Sequence, residues 1–192
     1  MTGVTKIAVA GTHSTGKTTF LKGLEERLIT AGHDVVYVHG SAAEAQDLGF
    51  PILKNHTFES TAWLVGQAIR LEMAATLKAD VVLIDRPVPD AFGYLIAALR
   101  TTHRSNDEAR LGRLETICKA WTEEYDLVFT TRLDESIPIG PDRDGDAAFR
   151  AAADQAIGEV LARLAPDHHV LTPQNLGQST ELAMRVATED RR

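Results

Sequence analysis

The feature that most constrains this chain is the stretch GTHSTGKTTF at positions 11–20, entered from the apolar run KIAVA at 6–10. Two glycines five positions apart, followed at once by lysine and threonine, force a tight turn between a strand and a helix. Gly11 and Gly16 permit backbone angles that other residues resist, so successive N–H groups turn toward one centre. A nest of this kind at a helix N-terminus holds anions, because the orphan amides and the helix dipole both favour negative charge. Lys17 adds a compact cation for the outer phosphates, and the Thr18 hydroxyl suits a magnesium ion. His13, Ser14 and Thr15 fill the variable positions and Thr19 follows; with Gly11, Gly16, Lys17 and Thr18 they form the candidate site for a polyphosphate such as ATP. Hydrolysis, transfer to a small molecule and a nucleotide-driven switch all begin from this loop.

The rest of the chain gives the loop its setting. Apolar runs alternate with helical periodicity from end to end, which predicts an α/β fold with a largely parallel sheet. Strands are expected at 5–10, 34–39, 81–85, 126–130 and 168–172, with one helical segment between each and the next. The first helix should end near Thr30, where Gly32 makes a good C-terminal stop. A long helix is expected over about 57–78, with Phe58, Ala62, Val65, Ile69, Met73 and Leu77 as its buried stripe at spacings of three and four. Further helices are expected over about 89–101, 107–124, 147–164 and 178–190. At 192 residues the whole chain, 1–192, is expected to be one domain. The single cysteine, Cys118, excludes an internal disulfide framework and any CxxC motif. A net charge of −7 argues against a general nucleic-acid surface. No apolar stretch approaches the roughly 20 residues of a membrane span, and no signal-like leader precedes the first strand, so a cytoplasmic location is expected.

A second element, VVLIDRPVPD at 81–90, ends a strand in Asp85-Arg86. A carboxylate at that end of a strand beside the loop strand holds magnesium directly or through water. The adjacent arginine offers a fork of donors to a phosphate or an acceptor group. Pro87 and Pro89 break the chain before the next helix, and Asp90 is placed to cap or brace it.

Together GTHSTGKTTF, EAQDLGFPI, the Trp63–Gln67 pair and DRPVPDAFGY resemble the small P-loop kinase-like ATPases grouped with the domain that phosphorylates ribosylnicotinamide. More distantly the chain resembles deoxynucleoside kinases and thymidylate kinase, over about 8–160. The resemblance implies a three-layer P-loop NTPase fold: a five-stranded parallel sheet with helices on both faces and a mobile lid at about 132–150. It also implies ATP with magnesium as cofactors, with Thr18 and Asp85 holding the metal. Where this group often carries ExAR after the second strand, the chain has Glu44-Ala45-Gln46, so the cation an acceptor phosphate would use there is missing.

By the same resemblance Glu44 faces the acceptor and takes its proton. Trp63, Gln67 and Arg70, spaced four and three apart, share a helix face suited to a planar polar acceptor such as a nucleoside base. Arg143 and Arg150 match the lid arginines that stabilise a moving phosphoryl group, with Arg132 close by. TPQNLGQ at 172–178 matches an adenine contact. The adjacent His168 and His169 point to opposite faces of a strand, which argues against one metal site.

The reading is a phosphotransferase that moves the ATP γ-phosphate to a hydroxyl or phosphate of a nucleoside- or nucleotide-like acceptor, using Lys17, Arg86 and the lid arginines. Three alternatives stay open: an ATPase without a small-molecule acceptor, a nucleotide-dependent regulatory module, and a kinase acting on a hydroxyl of a modified nucleic-acid base, against which the acidic net charge argues. No glutamine or glutamate directly follows Asp85, where ATPases often position water. Oligomeric state stays open as well, a homodimer included.

Overall fold

The computed structural model describes residues 3–133 and 146–189. Five strands form one wholly parallel sheet: β1 Thr5–Ala10, β2 Val35–Val38, β3 Val81–Asp85, β4 Leu127–Thr131 and β5 His169–Leu171, in the order β2-β3-β1-β4-β5. The expected strands all form, each within two residues of its predicted bounds. β1 is central and buried along its whole length, as a parallel strand covered on both faces requires.

The helices are α1 Lys17–Thr30, α2 Ala42–Asp47, α3 Phe58–Ala75, α4 Val88–Thr101, α5 Glu108–Thr122, α6 Ala147–Leu164 and α7 Leu176–Glu189, with a single 3-10 turn at Leu53–Asn55. Alternation along β1 divides the core. Ile7 and Val9 face the layer of α1 and α7, packing with Phe20, Leu21, Leu24 and Ala183. Ala8 and Ala10 face the opposite layer with Tyr94, Phe149, Ile157 and Leu161. That second layer is built close. A Cβ on Gly93 of α4 would come within 2.9 Å of the Ile157 backbone of α6, so only glycine permits this approach.

The strand order places the candidate site. From β1 the chain moves out to β2 and returns to β3; it then crosses β1 to reach β4. The loops after β1 and β3 therefore lie side by side at the carboxyl ends of adjacent strands, the crevice where open α/β sheets place their ligands. Register makes this concrete, since Val9 pairs with Asp85 and the Arg86 amide donates to the Val9 carbonyl at 3.2 Å.

Two expectations are corrected here. α3 ends at Ala75, and Met73 and Leu77 are 56% and 85% exposed. The buried line runs instead through Thr61, Val65, Glu72 and Ala75. Leu77 lies beyond the last turn, and a carboxylate occupies a position that hydrophobic periodicity never marks. Helix α1 ends as expected, with Gly32 at φ 87° beyond its last turn. Cys118 is buried, and burial pushes its thiol up to about 12. Among the described residues no helix is long and apolar enough to cross a membrane.

Candidate functional site

The phosphate loop leaves β1 at Gly11, where φ is 134° and an added Cβ would overlap the Thr131 side chain of β4. Conformation and space both demand glycine. Ser14 at φ 55° and Gly16 at φ 88° complete the curl, and Gly16 caps α1. Thr15 Oγ1 donates to the Thr12 carbonyl at 2.9 Å and meets Thr131 Oγ1 at 2.6 Å. Lys17 is buried and its Nζ donates to the Thr12 carbonyl at 2.6 Å, spanning the loop. Thr19 is exposed in the first turn of α1.

Side chains from distant segments besides Thr131 brace the cradle. Asp90 of α4 is buried; its Oδ1 accepts the Gly11 amide at 2.8 Å and its Oδ2 accepts Arg86 Nη1 at 3.0 Å. The carboxylate thus braces the loop and the arginine, and it does not cap the helix, whose N-cap Pro87 receives no side-chain bond. Burial pushes the Asp90 carboxyl up, against the pull of Arg86, Lys17 and the Gly11 amide. The Arg150 guanidinium donates from Nε to the His13 carbonyl at 3.2 Å and from Nη2 to that of Ser14 at 3.0 Å. Arg150 therefore does not ride on a loop: it is buried in the first turn of α6 and clamps the cradle from behind. Tyr94 meets Thr12 Oγ1 at 3.3 Å through its hydroxyl, and the Arg86 guanidinium lies over its ring at 5.3 Å. Arg143 falls outside the described residues, as does most of the expected lid.

Arg86 sits at φ 66°, a left-handed conformation that costs a branched-free residue about 1 kcal/mol or more and recurs at functional sites. Gly40 makes room for it, since a Cβ there would meet Arg86 Cδ at 2.9 Å. Burial works against its charge, yet Tyr94, Asp90 and Asp85 outweigh burial and hold the guanidinium firmly charged.

Thr18 Oγ1 and the Tyr37 hydroxyl both donate to Asp85 Oδ2, at 2.9 and 3.1 Å. Asp85 Oδ1 is enclosed and has no hydrogen-bond partner among the described residues. An orphaned carboxylate oxygen beside a threonine hydroxyl fits magnesium, which takes one or two protein oxygens and completes its shell with phosphates and water. Among the described residues no cluster of three or more acidic, histidine or cysteine side chains offers an all-protein cage.

Beside the cradle lies a cavity of about 510 Å³, walled by the β2–α2 connection, the 3-10 turn, α3 and the start of α4. Thr18, Asp85 and Arg86 form its loop end, so the cavity opens onto the place where a terminal phosphate would lie. From α3 it takes Leu64, Ala68 and Glu72. The face expected to meet an acceptor lies elsewhere on α3. Trp63, Gln67 and Arg70 do share a face, but one rotated from the cavity: Arg70 Nε donates to Gln67 Oε1 at 2.8 Å, and Gln67 Nε2 to Glu44 Oε1 at 3.2 Å, on the exposed side. Trp63 packs against Phe50 with ring centroids 5.3 Å apart. Glu44 is exposed and outside the cavity, because Ala42, Ala43 and Gln46 are the α2 residues that turn inward. Each residue turns a helix by about 100°, so two positions from Ala42 already lead to the far side.

Sequence reasoning missed three residues here. Tyr37 holds Asp85. Glu72 is fully buried, accepting from Trp121 Nε1 at 2.6 Å and from the Tyr125 hydroxyl at 3.1 Å. Burial pushes it up to about 7, against those bonds and Lys6. His56 is buried in the cavity wall, and burial, then Arg86 and Arg104, lower it to about 4. Leu64, Ala68 and Glu72, four apart, share the cavity side of α3, which only the packing of the helix reveals. Nothing in the sequence marks His56 either. The segment expected to contact adenine builds a turn: the Thr172 amide donates to Asn175 Oδ1 and Asn175 Nδ2 to the Val170 carbonyl, both at 2.8 Å, leading into α7.

The model of an AAA domain family matches residues 6–178. No curated protein matches the sequence. Among solved structures, the NadR protein in complex with NR superposes with a TM-score of 0.70 at 12% identity. The match covers 96% of this chain and 52% of that one, so this chain spans about half the length of NadR. Thymidylate kinase from Ehrlichia chaffeensis gives 0.67 at 16% identity, covering 94% of this chain and 99% of that one. Deoxyadenosine kinase from M. mycoides with bound dATP gives 0.63 at 16% identity, covering 94% and 97%. At these identities the likeness is one of fold, the P-loop kinase-like fold.

Proposed function

This chain belongs to the AAA domain family, and from that premise we propose an ATP-dependent kinase that transfers the γ-phosphate to a hydroxyl of a nucleoside-like small molecule. The observation that carries the reading is the cavity itself, about 510 Å³, reached from the cradle past Thr18, Asp85 and Arg86. An ATPase needs only room for water at that point. NR and dATP bound to the structural neighbours, and the thymidylate kinase among them, support an acceptor of nucleoside size.

The charge of the wall favours a hydroxyl over a phosphate as acceptor. Among the described residues the only lysine or arginine lining the cavity, apart from its contact with the loop, is Arg86, already paired with Asp90. Gln46, a neutral amide, is the α2 polar side chain that lines it.

Phosphoryl transfer asks little covalent chemistry of a protein and much positioning and electrostatics. The loop amides would hold the β and γ phosphates, with Lys17 turning to them from the Thr12 carbonyl. Arg86 would neutralise charge on the group in flight, fixed in direction by Asp90 and Tyr94. Thr18 and Asp85 would hold magnesium, which supplies charge neutralisation to the phosphate oxygens when bound. Arg150 would act by holding the loop carbonyls and not by touching phosphate.

The test is a screen of ATP-dependent phosphorylation over nucleosides and their 5′-monophosphates. Transfer to one or more nucleosides, with monophosphates poor, is the expected result. ATP consumption that no acceptor changes defeats the reading.

A further inference from the structure

We propose that His56 is a specificity-determining residue of the acceptor cavity: its Nε2–H donates a hydrogen bond to a carbonyl oxygen or unprotonated ring nitrogen of the acceptor. This rests on the kinase reading above and names the chemistry the cavity selects.

The tautomer follows from the neighbours of the ring. Thr61 is fully buried, and among the described residues the sole hydrogen-bond partner of its side chain is His56 Nδ1, at 3.4 Å. A buried hydroxyl must place its proton somewhere, so Nδ1 accepts. Ser60 Oγ, also 3.4 Å from Nδ1, has already committed its proton to the Thr57 carbonyl at 3.1 Å while accepting the Thr57 amide at 3.0 Å. The imidazole proton is thereby assigned to Nε2.

Nε2 makes no hydrogen bond among the described residues, and it is not one of the enclosed polar atoms left without a partner. With the ring lining the cavity, Nε2–H is the donor that the cavity receives.

The ring is also held still. Leu53 at φ 57° begins the turn that delivers it. Arg104 Nη2 grips the carbonyls of Lys54 and His56 at 3.1 and 2.8 Å. The Tyr94 ring packs on the imidazole with centroids 5.8 Å apart. Charged groups face it from two directions, Arg86 after β3 and Arg104 after α4, and with burial they keep it uncharged down to about pH 4. A neutral, immobile N–H at an apolar wall (Leu53, Leu64, Ala68) rewards an acceptor atom and penalises its absence, since the unpaired donor stays desolvated.

Two measurements test this. In the nitrogen–proton spectrum of the histidine side chains at pH 7, His56 should show the Nε2–H tautomer and stay neutral on titration to pH 5. An Nδ1–H tautomer, or protonation near the ordinary value of 6.5, overturns the proposal whatever the activity. In steady-state transfer from ATP to the common nucleosides, His56→Leu should raise the acceptor KM roughly ten- to a hundredfold and leave the ATP KM unchanged. His56→Gln, whose amide N–H reaches about as far as Nε2, should recover most of that loss. An unchanged acceptor KM in His56→Leu, or an equal rise for ATP, defeats this proposal alone. Absence of wild-type transfer to every nucleoside defeats the kinase reading and this proposal with it.

Discussion

The two halves of the site are built in opposite ways. The cradle is one contiguous segment, residues 11–18, cross-braced by buried Asp90, Arg150 and Thr131. The cavity is assembled from at least five separate segments and mixes apolar wall with a neutral histidine and a buried carboxyl. The first is chemistry that local sequence can specify, an anion nest with a lysine. The second is a shape, and shape depends on how helices rotate against one another.

The largest effect expected falls on the bracing of the cradle. Asp90→Ala leaves the Gly11 amide and the Arg86 guanidinium without their shared partner, and breaking a buried ion pair on one side costs roughly 3–5 kcal/mol. Urea denaturation should show that loss, with Asp90→Asn intermediate because it still accepts one bond. A loss below 1 kcal/mol would mean that the cradle stands without its brace.

Next comes the lysine. Lys17→Ala should lower transfer by about 10²–10³ while the denaturation midpoint hardly moves. Full activity in a folded variant removes the loop from the reaction.

The cavity half should respond to pH. Glu72, raised from 4.5 to about 7, binds its proton more tightly in the folded state, so its stabilisation is present below pH 4.5 and lost as pH rises through 7. His56, lowered from 6.5 to about 4, makes the unfolded state the better proton binder, so stability is lost as pH falls from 6.5 toward 4. Between pH 4.5 and 6.5 the two oppose each other. His56→Gln should therefore lose on the order of 2–3 kcal/mol more than wild type as pH rises across that window. Glu72→Gln should show the reverse slope. Parallel stability profiles for all three proteins would exclude both shifts.

How far the site was legible follows from the same contrast. The strand–loop–helix of the cradle, the Asp85–Arg86 strand end and the parallel sheet were all readable, because each is fixed by neighbours in sequence or by apolar runs. The residues that line the cavity were not. Gln67 and Ala68 differ by about 100° around α3, and which of them meets the cavity is decided by the packing of α3 on α4 and α5 through Val65, Phe92 and Leu114. Glu72 lies off the expected apolar stripe yet is buried, tolerated because Trp121 and Tyr125 arrive from 49 and 53 residues away to satisfy it. Arg150 was expected among the lid arginines because it follows a turn-rich segment; it lies in the first turn of α6 and binds the His13 and Ser14 carbonyls, which only the tertiary fold brings within reach.

The smallest effect separates the exposed chain from the cavity. Glu44→Gln should change transfer by less than about twofold and stability by less than roughly 0.5 kcal/mol, as a surface substitution does. A fall of 10² or more in transfer would restore Glu44 as the group that takes the acceptor proton.

The division of labour between cradle and cavity is tested most directly by filling the cavity. Ala68→Phe adds a ring to the inner face of α3 without touching the loop, Asp85 or Arg86. Phosphorylated nucleoside and ADP would be measured in one assay, with wild type and variant at matched ATP. Wild type should make the two products in near-equal amounts when its acceptor is present. In Ala68→Phe the phosphorylated nucleoside should fall at least tenfold, while ATP affinity and slow acceptor-independent ADP formation persist. Undiminished transfer in a folded Ala68→Phe, or wild-type ADP formation that no acceptor raises, would contradict the assignment of the cavity as the acceptor site.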